Sequence, residues 1–463
     1  MYLKIAKIIR PLFILAAVAS IPAPAWATPY TSYTLVVTEH NPVMADGKTV
    51  YGWGIMDVSS TTAGSITLPN GTTVSIPGTA DHNAPAGGSI GLPGPALEFQ
   101  EGQPMNVTIV NGLNIIWQQP PVSLIIPGLF STTARPAPVM DPTPPNMQLP
   151  TNRVRSFTPE VGGTTVTGNP PYRTYSFTAK AGTYLYESST YQQQQVPMGF
   201  YGSVIVRPVG YNATTNKIAY AGPAAASNYA FYSENPPLVL ADHDPGQNNT
   251  MFLTPFGPLS TILYTPKYYT MNGKGYPYTD DLLATVGQPV LVRLLNAGSR
   301  DYYMTFAGQT LKIIAEDGIP KKLPVTASAV SLPAGKTVDA IMTSPTVGYF
   351  PVFDRALNMV NGQVYKDVPL GPSGMMTFLG VFPAGGNCSP AKGKYTPSPI
   401  GPVTITDALH ALREAVGLEA VNVNLDVSPV DVATGLPCGK GNGTIGVTDA
   451  LFILQKAVGA NPY

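Results

Sequence analysis

The chain has 463 residues, enough for roughly three domains at ~150 residues each, so a sizeable buried core is expected. Its 49 prolines and 46 glycines, with only 11% charged residues, disfavour long helices and favour many short strands joined by tight turns. Lysine plus arginine equals aspartate plus glutamate at 26 each, which leaves no basic footprint for nucleic acid and no polybasic run for an anionic membrane.

Residues 1–27 read as an export signal. Lys4, Lys7 and Arg10 precede the apolar stretch Leu12 to Ile21, and Ala25-Trp26-Ala27 supplies a small-x-small cleavage site. The apolar run is shorter than the ~20 residues a bilayer-spanning helix needs, and no later segment is long and apolar enough. The mature chain is therefore expected to start near Thr28, with no transmembrane segment, in a secreted, extracellular or cell-surface setting, the periplasm being the alternative.

The segment Gly94 to Gly102 ends in Gly102-Gln103-Pro104 and resumes as Met105 to Asn111, where Met105, Val107 and Ile109 alternate with Asn106 and Thr108 as a half-buried strand requires. The same phrase returns as Gly287-Gln288-Pro289-Val290-Leu291-Val292-Arg293-Leu294-Leu295-Asn296. Each copy precedes a strand with a glycine-plus-aromatic start, Gly182 to Tyr186 in the first and Gly348 to Phe353 in the second. Two β-sandwiches of similar plan follow, over 28–208 and 229–385, joined by a linker over 209–228 whose Ala, Gly, Asn and Thr carry no apolar period.

A second linker, 386–399, is rich in Gly, Pro, Ser and Lys. Beyond it Ala408, Leu409, Leu412, Ala415 and Val416 recur at three- and four-residue steps, so a small helical module is expected over 400–463. Gly401 to Gly417 and Gly443 to Gly459 agree at nine of seventeen positions, which makes the module a duplication. The two cysteines, Cys388 and Cys438, can pair as one disulfide in an exported protein.

Pro93 to Ala96, Gly182 to Tyr186 and Met198 to Val206 resemble the first cupredoxin domain of multicopper oxidases. Met271 to Lys274, Leu295 to Gly298, Ile314 to Gly318 and Gly374 to Thr377 resemble a later domain of the same family. The resemblance implies a mainly β fold of two cupredoxin-like Greek-key sandwiches and, in the family, copper held by paired His-x-His strands, because neutral imidazole nitrogen suits copper. Here Glu187-Ser188-Ser189 stands where the family has His-Ser-His, and Leu124 to Gly128 where it has His-x-His-Gly. Asp354, in Phe353-Asp354-Arg355-Ala356, stands where a His-Cys-His run belongs. Glu187, Ser189 and Asp354 are thus degenerate copper positions, and with only His40, His82, His243 and His410 in the chain, copper is not expected. Asp242-His243-Asp244 has two readings, a single metal site or a hydrogen-bonded histidine at a strand end.

The duplicated Thr-Asp-Ala-Leu helices resemble dockerin modules, which join calcium loops to helices. That resemblance implies calcium at Asp426, Asp431, Asn442, Thr444 and Asp449, and docking to a cohesin-like or cell-surface protein. The other reading of Asp407 and Asp449 is favourable placement at helix N-termini.

These features support an exported, non-catalytic structural or binding protein, with a divergent oxidoreductase at a rebuilt metal site as the alternative. No nucleophile elbow, HExxH or phosphate-cradling loop points to a hydrolase. Tyr184, Tyr186, Tyr191 and Tyr201, beside Gln192 to Gln195, form either an aromatic binding surface or ordinary strand packing.

Overall fold

The structure, a computed structural model, describes residues 30–59, 64–77, 90–114, 119–132, 138–140, 154–162, 171–222, 229–253, 261–362, 373–382, 405–415, 450 and 453–454. The export signal, His82, Cys388, Cys438 and the expected calcium residues Asp426, Asp431, Asn442, Thr444 and Asp449 lie outside the described residues. No helix among the described residues is long and apolar enough to cross a membrane.

The first sandwich is built from β1 (Ser32–Glu39), β2 (Trp53–Asp57), β3 (Gly64–Thr67), β4 (Thr73–Ile76), β5 (Leu97–Gln100), β6 (Pro104–Asn111), β7 (Val139–Met140), β8 (Val154–Ser156), β9 (Tyr172–Thr178), β10 (Gly182–Glu187), α1 (Gln192–Met198) and β11 (Tyr201–Arg207). One sheet runs β2-β1-β6-β9 and the facing one β10-β11-β5. Between them lie Leu35, Val37, Trp53, Phe99, Val107, Ile109 and Val204, all buried, as the alternation along β6 predicts.

The second sandwich contains β12 (Ser233–Glu234), β13 (Leu238–His243), α2 (Pro245–Leu253), β14 (Tyr268–Met271), β15 (Leu282–Thr285), β16 (Val290–Asn296), β17 (Tyr302–Phe306), β18 (Leu311–Glu316), β19 (Ile319–Ala327), β20 (Ala329–Leu332), β21 (Thr337–Met342), β22 (Gly348–Asp354) and β23 (Met376–Phe382). Its sheets run β14-β13-β16-β21-β18-β19, with β12 beside β16, and β15-β23-β22-β17-β20.

The repeated phrase is the same strand–turn–strand in both sandwiches. β5 lies parallel to β11 and β15 parallel to β23, while β6 lies parallel to β1 and β16 parallel to β13. The turn glycines Gly102 and Gly287 sit at φ of +80° and +71°, and a Cβ on either would meet nothing within 4 Å. Left-handed backbone, not crowding, is what demands glycine there.

The sandwiches meet through an apolar patch of Leu185, Tyr201, Val239, Ala241, Leu295 and Ala297. The stretch expected as a connecting linker is packed in its described part. Ala219 and Tyr220, with Tyr229 and Phe231 beyond it, are buried against Ala181, Leu291, Ile314 and Ile341. Ala219 N–H donates to the Tyr229 carbonyl at 2.9 Å and Phe231 N–H to the Lys217 carbonyl at 3.1 Å. Single anchors in coil leave no period, so the pattern that marks strands and helices could not reveal them.

In α3 (Ile405–Ala415), Ala408 and Ala411 are covered, whereas Leu409 and Leu412 are 52% and 41% exposed. The recurring leucines are thus exposed, and the small alanines form the covered side. Asp407 lies in the first turn, where a carboxylate suits the helix dipole.

Candidate functional site

The two stretches of the first sandwich that the resemblance sets against ligand strands, Leu124 to Gly128 and Glu187 to Ser189, lie side by side. Ile125 and Glu187 exchange backbone hydrogen bonds, N–H to carbonyl, at 2.9 and 3.0 Å. This antiparallel register places Ser123 opposite Ser189, on the face shared by Ile125 and Glu187. The two hydroxyls are 2.7 Å apart. Ser123 Oγ also lies 3.0 Å from Ser156 Oγ and 2.8 Å from Thr190 Oγ1, and Ser189 Oγ lies 3.1 Å from Ser156 Oγ and 2.5 Å from Thr158 Oγ1. Ser123, Ser156, Ser189 and Thr190 are at most 1% exposed. A hydroxyl both donates and accepts, so such a cluster can satisfy itself without water. It closes outward through Thr190 Oγ1, which donates to Glu160 Oε1 at 3.2 Å, and Glu160 holds Arg155 in a forked pair at 2.7 to 3.2 Å.

Glu187 is half-buried at the end of β10, and its Oε1 accepts from Gln192 Nε2 at 3.2 Å. Burial pushes its carboxyl up to about 7, because the charged form loses water that one amide does not replace.

The Asp242-His243-Asp244 run sends its three side chains to three separate tasks. Asp242 accepts the hydroxyls of Tyr264 and Tyr302 and the backbone N–H groups of Ser299 and Arg300, the last two at 3.0 and 3.1 Å. His243 is 1% exposed, with Nε2 3.3 Å from Thr270 Oγ1 and a bond to the Pro197 carbonyl of α1. Burial pulls its imidazole down to about 4, against the opposing charge of Asp242. Asp244 caps α2, accepting the N–H groups of Gly246 and Gln247 at 2.9 and 3.3 Å and that of Thr265 at 2.7 Å. This is the hydrogen-bonded strand-end histidine of the two sequence readings.

Asp354 is buried at the end of β22 and ties down the next turn. It accepts Tyr303 N–H at 2.8 Å, Ala356 N–H at 3.2 Å and Asn358 Nδ2 at 2.7 Å. The structure therefore pairs Ser189 with Ser123 but joins neither Glu187 nor Asp354 to His243 by any hydrogen bond among those described. No group of three or more His, Cys, Asp or Glu side chains able to hold a metal ion occurs among the described residues. His40 is half-buried, which lowers its imidazole below the ordinary range, and His410 is half-buried on α3.

Tyr184, Tyr186, Tyr191 and Tyr201 are 2%, 0%, 8% and 1% exposed, so this cluster is packing rather than a binding surface. Tyr184 and Tyr186 donate their hydroxyls to the Lys180 and Pro95 carbonyls, both at 3.1 Å. Behind Tyr184 and Leu185, a cavity of about 270 Å³ opens between the sandwiches, closed on the far side by Asp317, Lys336 and Thr337.

Sequence reasoning missed a buried ion chain across the sandwiches. Arg207 binds Glu98 through Nε at 2.7 Å and Nη2 at 3.2 Å, and Glu234 through Nη1 at 2.9 Å. Arg293 continues it, at 3.5 Å from Glu234, 3.3 Å from Asp339 and 2.6 Å from Thr183 Oγ1 of the first sandwich. The signal was present: Arg293 and Asp339 are single charges inside largely apolar strands and Arg207 closes another, and a buried charge requires a partner.

Comparison with known proteins places this geometry. Residues 231–366 match the family model for multicopper oxidase. The fold is similar to a blue copper oxidase from Nitrosomonas europaea, at 18% identity and a TM-score of 0.50, covering 76% of this chain and 85% of that one. It is also similar to the multicopper oxidase mgLAC, at 17% identity and a TM-score of 0.53, covering 80% of this chain and 91% of that one. No curated protein sequence matches. Residues 231–366 thus match a multicopper oxidase family model, within a mainly β fold similar to that of the two solved oxidases.

Proposed function

We propose that this is an exported protein that works without copper, its two cupredoxin sandwiches forming a rigid scaffold for binding and its C-terminal module docking it to a cohesin-like or cell-surface partner. The observation that carries the reading is that the stretches the resemblance sets against the family's imidazoles meet through Ile125 and Glu187, with the Ser123 and Ser189 hydroxyls 2.7 Å apart beside them. Copper requires imidazole nitrogen or thiolate, and the only side-chain donors present are hydroxyls already bonded to one another and one glutamate, beside an isoleucine that offers none. This donor set does not fit copper, so no oxidation step is derived through it. Asp354 is equally committed, with three donors on its carboxylate. The buried ion chain from Glu98 to Asp339 supports the rigid scaffold, since it fixes one sandwich against the other. Calcium at Asp426, Asp431, Asn442, Thr444 and Asp449, and a Cys388–Cys438 disulfide, complete the proposal for the docking module.

Metal analysis of the purified protein, with oxygen uptake on a phenolic substrate measured with and without added copper, tests it. The expected result is calcium without stoichiometric copper, and no oxygen consumption. Stoichiometric copper with turnover that disappears on chelation would overturn the proposal.

A further inference from the structure

A cleft of about 580 Å³ opens on the second sandwich, lined by Tyr269, Ser299, Arg300, Asp301, Ala356 and Asn358. That volume lies within the range of small-ligand sites. Its walls are pinned from below by the two buried carboxylates already described. Asp242 fixes the backbone of Ser299 and Arg300, and Asp354 fixes the backbone of Ala356 and the amide of Asn358. The cleft is thus preorganised, which lowers the ordering cost of binding.

The groups offered to a ligand are set by what those bonds leave over. Asn358 spends Nδ2 on Asp354, so its Oδ1 is the acceptor end available to a ligand. Arg300 donates through Nη2 to the Tyr264 carbonyl at 3.0 Å, and Asp301 Oδ1 accepts Ala334 N–H at 3.2 Å. Both remain exposed, adjacent in the chain and opposite in charge. Tyr269 is half-buried, packed against the second core, and supplies the only aromatic ring of the lining. One ring, one amide, one hydroxyl and a balanced charge pair surround a hollow whose only other apolar group is the Ala356 methyl.

An anion would meet Asp301 beside Arg300, and an apolar ligand would leave the polar rim unpaired. A neutral molecule carrying many hydroxyls and one C–H face meets neither cost. We propose that this cleft binds a neutral saccharide, with Tyr269 stacking on the sugar face and Ser299, Arg300, Asp301 and Asn358 bonding its hydroxyls. The cleft lies apart from the Ser123–Ser189 pair, so the proposal goes beyond the copper-free reading and does not depend on it.

The test uses the whole purified protein in affinity electrophoresis through gels containing soluble β-glucan, xylan or galactomannan, with sulfated dextran as the anionic arm. Calorimetric titration with matching oligosaccharides, and with an adenine nucleotide as a planar anion, follows. We expect retardation by at least one neutral glycan. Tyr269→Ala should weaken that binding roughly tenfold, whereas Tyr269→Phe keeps the ring and should hold it within about twofold. Arg300→Gln, which keeps the backbone N–H bonded to Asp242, should also weaken it. Each variant is checked for an unchanged melting temperature, so that loss of binding is not loss of fold. Failure of every neutral glycan to bind, binding confined to sulfated dextran or the nucleotide, or binding unaffected by Tyr269→Ala would overturn the proposal.

Discussion

Replacing Arg207 by methionine tests the buried ion chain. Its guanidinium is fully covered and faces two carboxylates whose side chains are 10% and 7% exposed, Glu98 and Glu234. Methionine keeps most of the volume but leaves both carboxylates without this cation. Removing one partner of a buried pair costs about 3–5 kcal/mol, because the remaining charge stays desolvated. At about 2–4 °C per kcal/mol for a domain of this size, the melting temperature should fall by roughly 6–20 °C. Adding Glu98→Gln should recover part of the loss, since one orphaned charge is gone and Glu234 keeps Arg293.

The pH dependence gives an independent check. Burial would raise the Glu234 carboxyl, but Arg293 and Arg207 outweigh it and hold it below the ordinary glutamate range. A depressed folded pKa contributes stability that is present above the unfolded value, about 4.3, and is lost as pH falls through the folded value. In Arg207→Met the Glu234 carboxyl loses one of the two cations that lower it and should move back toward the ordinary range, so that less stability is lost as pH falls. Thermal unfolding followed by intrinsic fluorescence between pH 3 and 8 reads both effects. A fall of only a few degrees with an unaltered pH profile would refute the claim that this chain of charges holds the sandwiches together.

Three further outcomes follow from the same structure. Ser123→Ala removes the hydroxyl shared by Ser156, Ser189 and Thr190 and should cost about 1–3 kcal/mol in denaturant unfolding, whereas Ser123→Thr should largely spare it. His243, neutral in the fold with its pKa at about 4 against an ordinary ~6.5, contributes stability present above about pH 6.5 and lost as pH falls toward 4. The loss should reach about 3 kcal/mol, and His243→Gln should flatten that part of the curve measured by urea unfolding. Gly102→Ala and Gly287→Ala should each cost about 1–2 kcal/mol through left-handed backbone alone, with asparagine at either position costing less; equal cost for Ala and Asn, read by melting temperature, would contradict the conformational argument.

How far the chain could be read before its structure was known depends on the range over which each feature is written. Gly102 and Gly287 announce themselves because a left-handed turn between two strands is a local demand, and its repetition carries the two-sandwich plan with it. Tyr184, Tyr186 and Tyr201 announce only that large rings occur in strands; which face they take depends on the partner sheet, and the structure buries all three. Leu409 and Leu412 announce the helix but not its covered side, since a helical period identifies a stripe but not which stripe is covered.

The Ser123–Ser189 pair marks the limit most clearly. Ser189 could be singled out by its place after Tyr184 to Tyr186, yet its partner stands 66 residues away and is chosen by the register between Ile125 and Glu187. Arg207 and Glu98 are 109 residues apart and meet only because β11 and β5 lie parallel at Glu98 and Ile205. A single charge in an apolar strand states that a counter-charge exists, but only tertiary register can say which one. The same holds for function in this architecture. Paired strands deliver side chains to a shared face whatever those side chains are, and here the register between Ile125 and Glu187 brings together hydroxyls that bond to each other. The fold supplies the meeting place, and the residues delivered to it decide the chemistry.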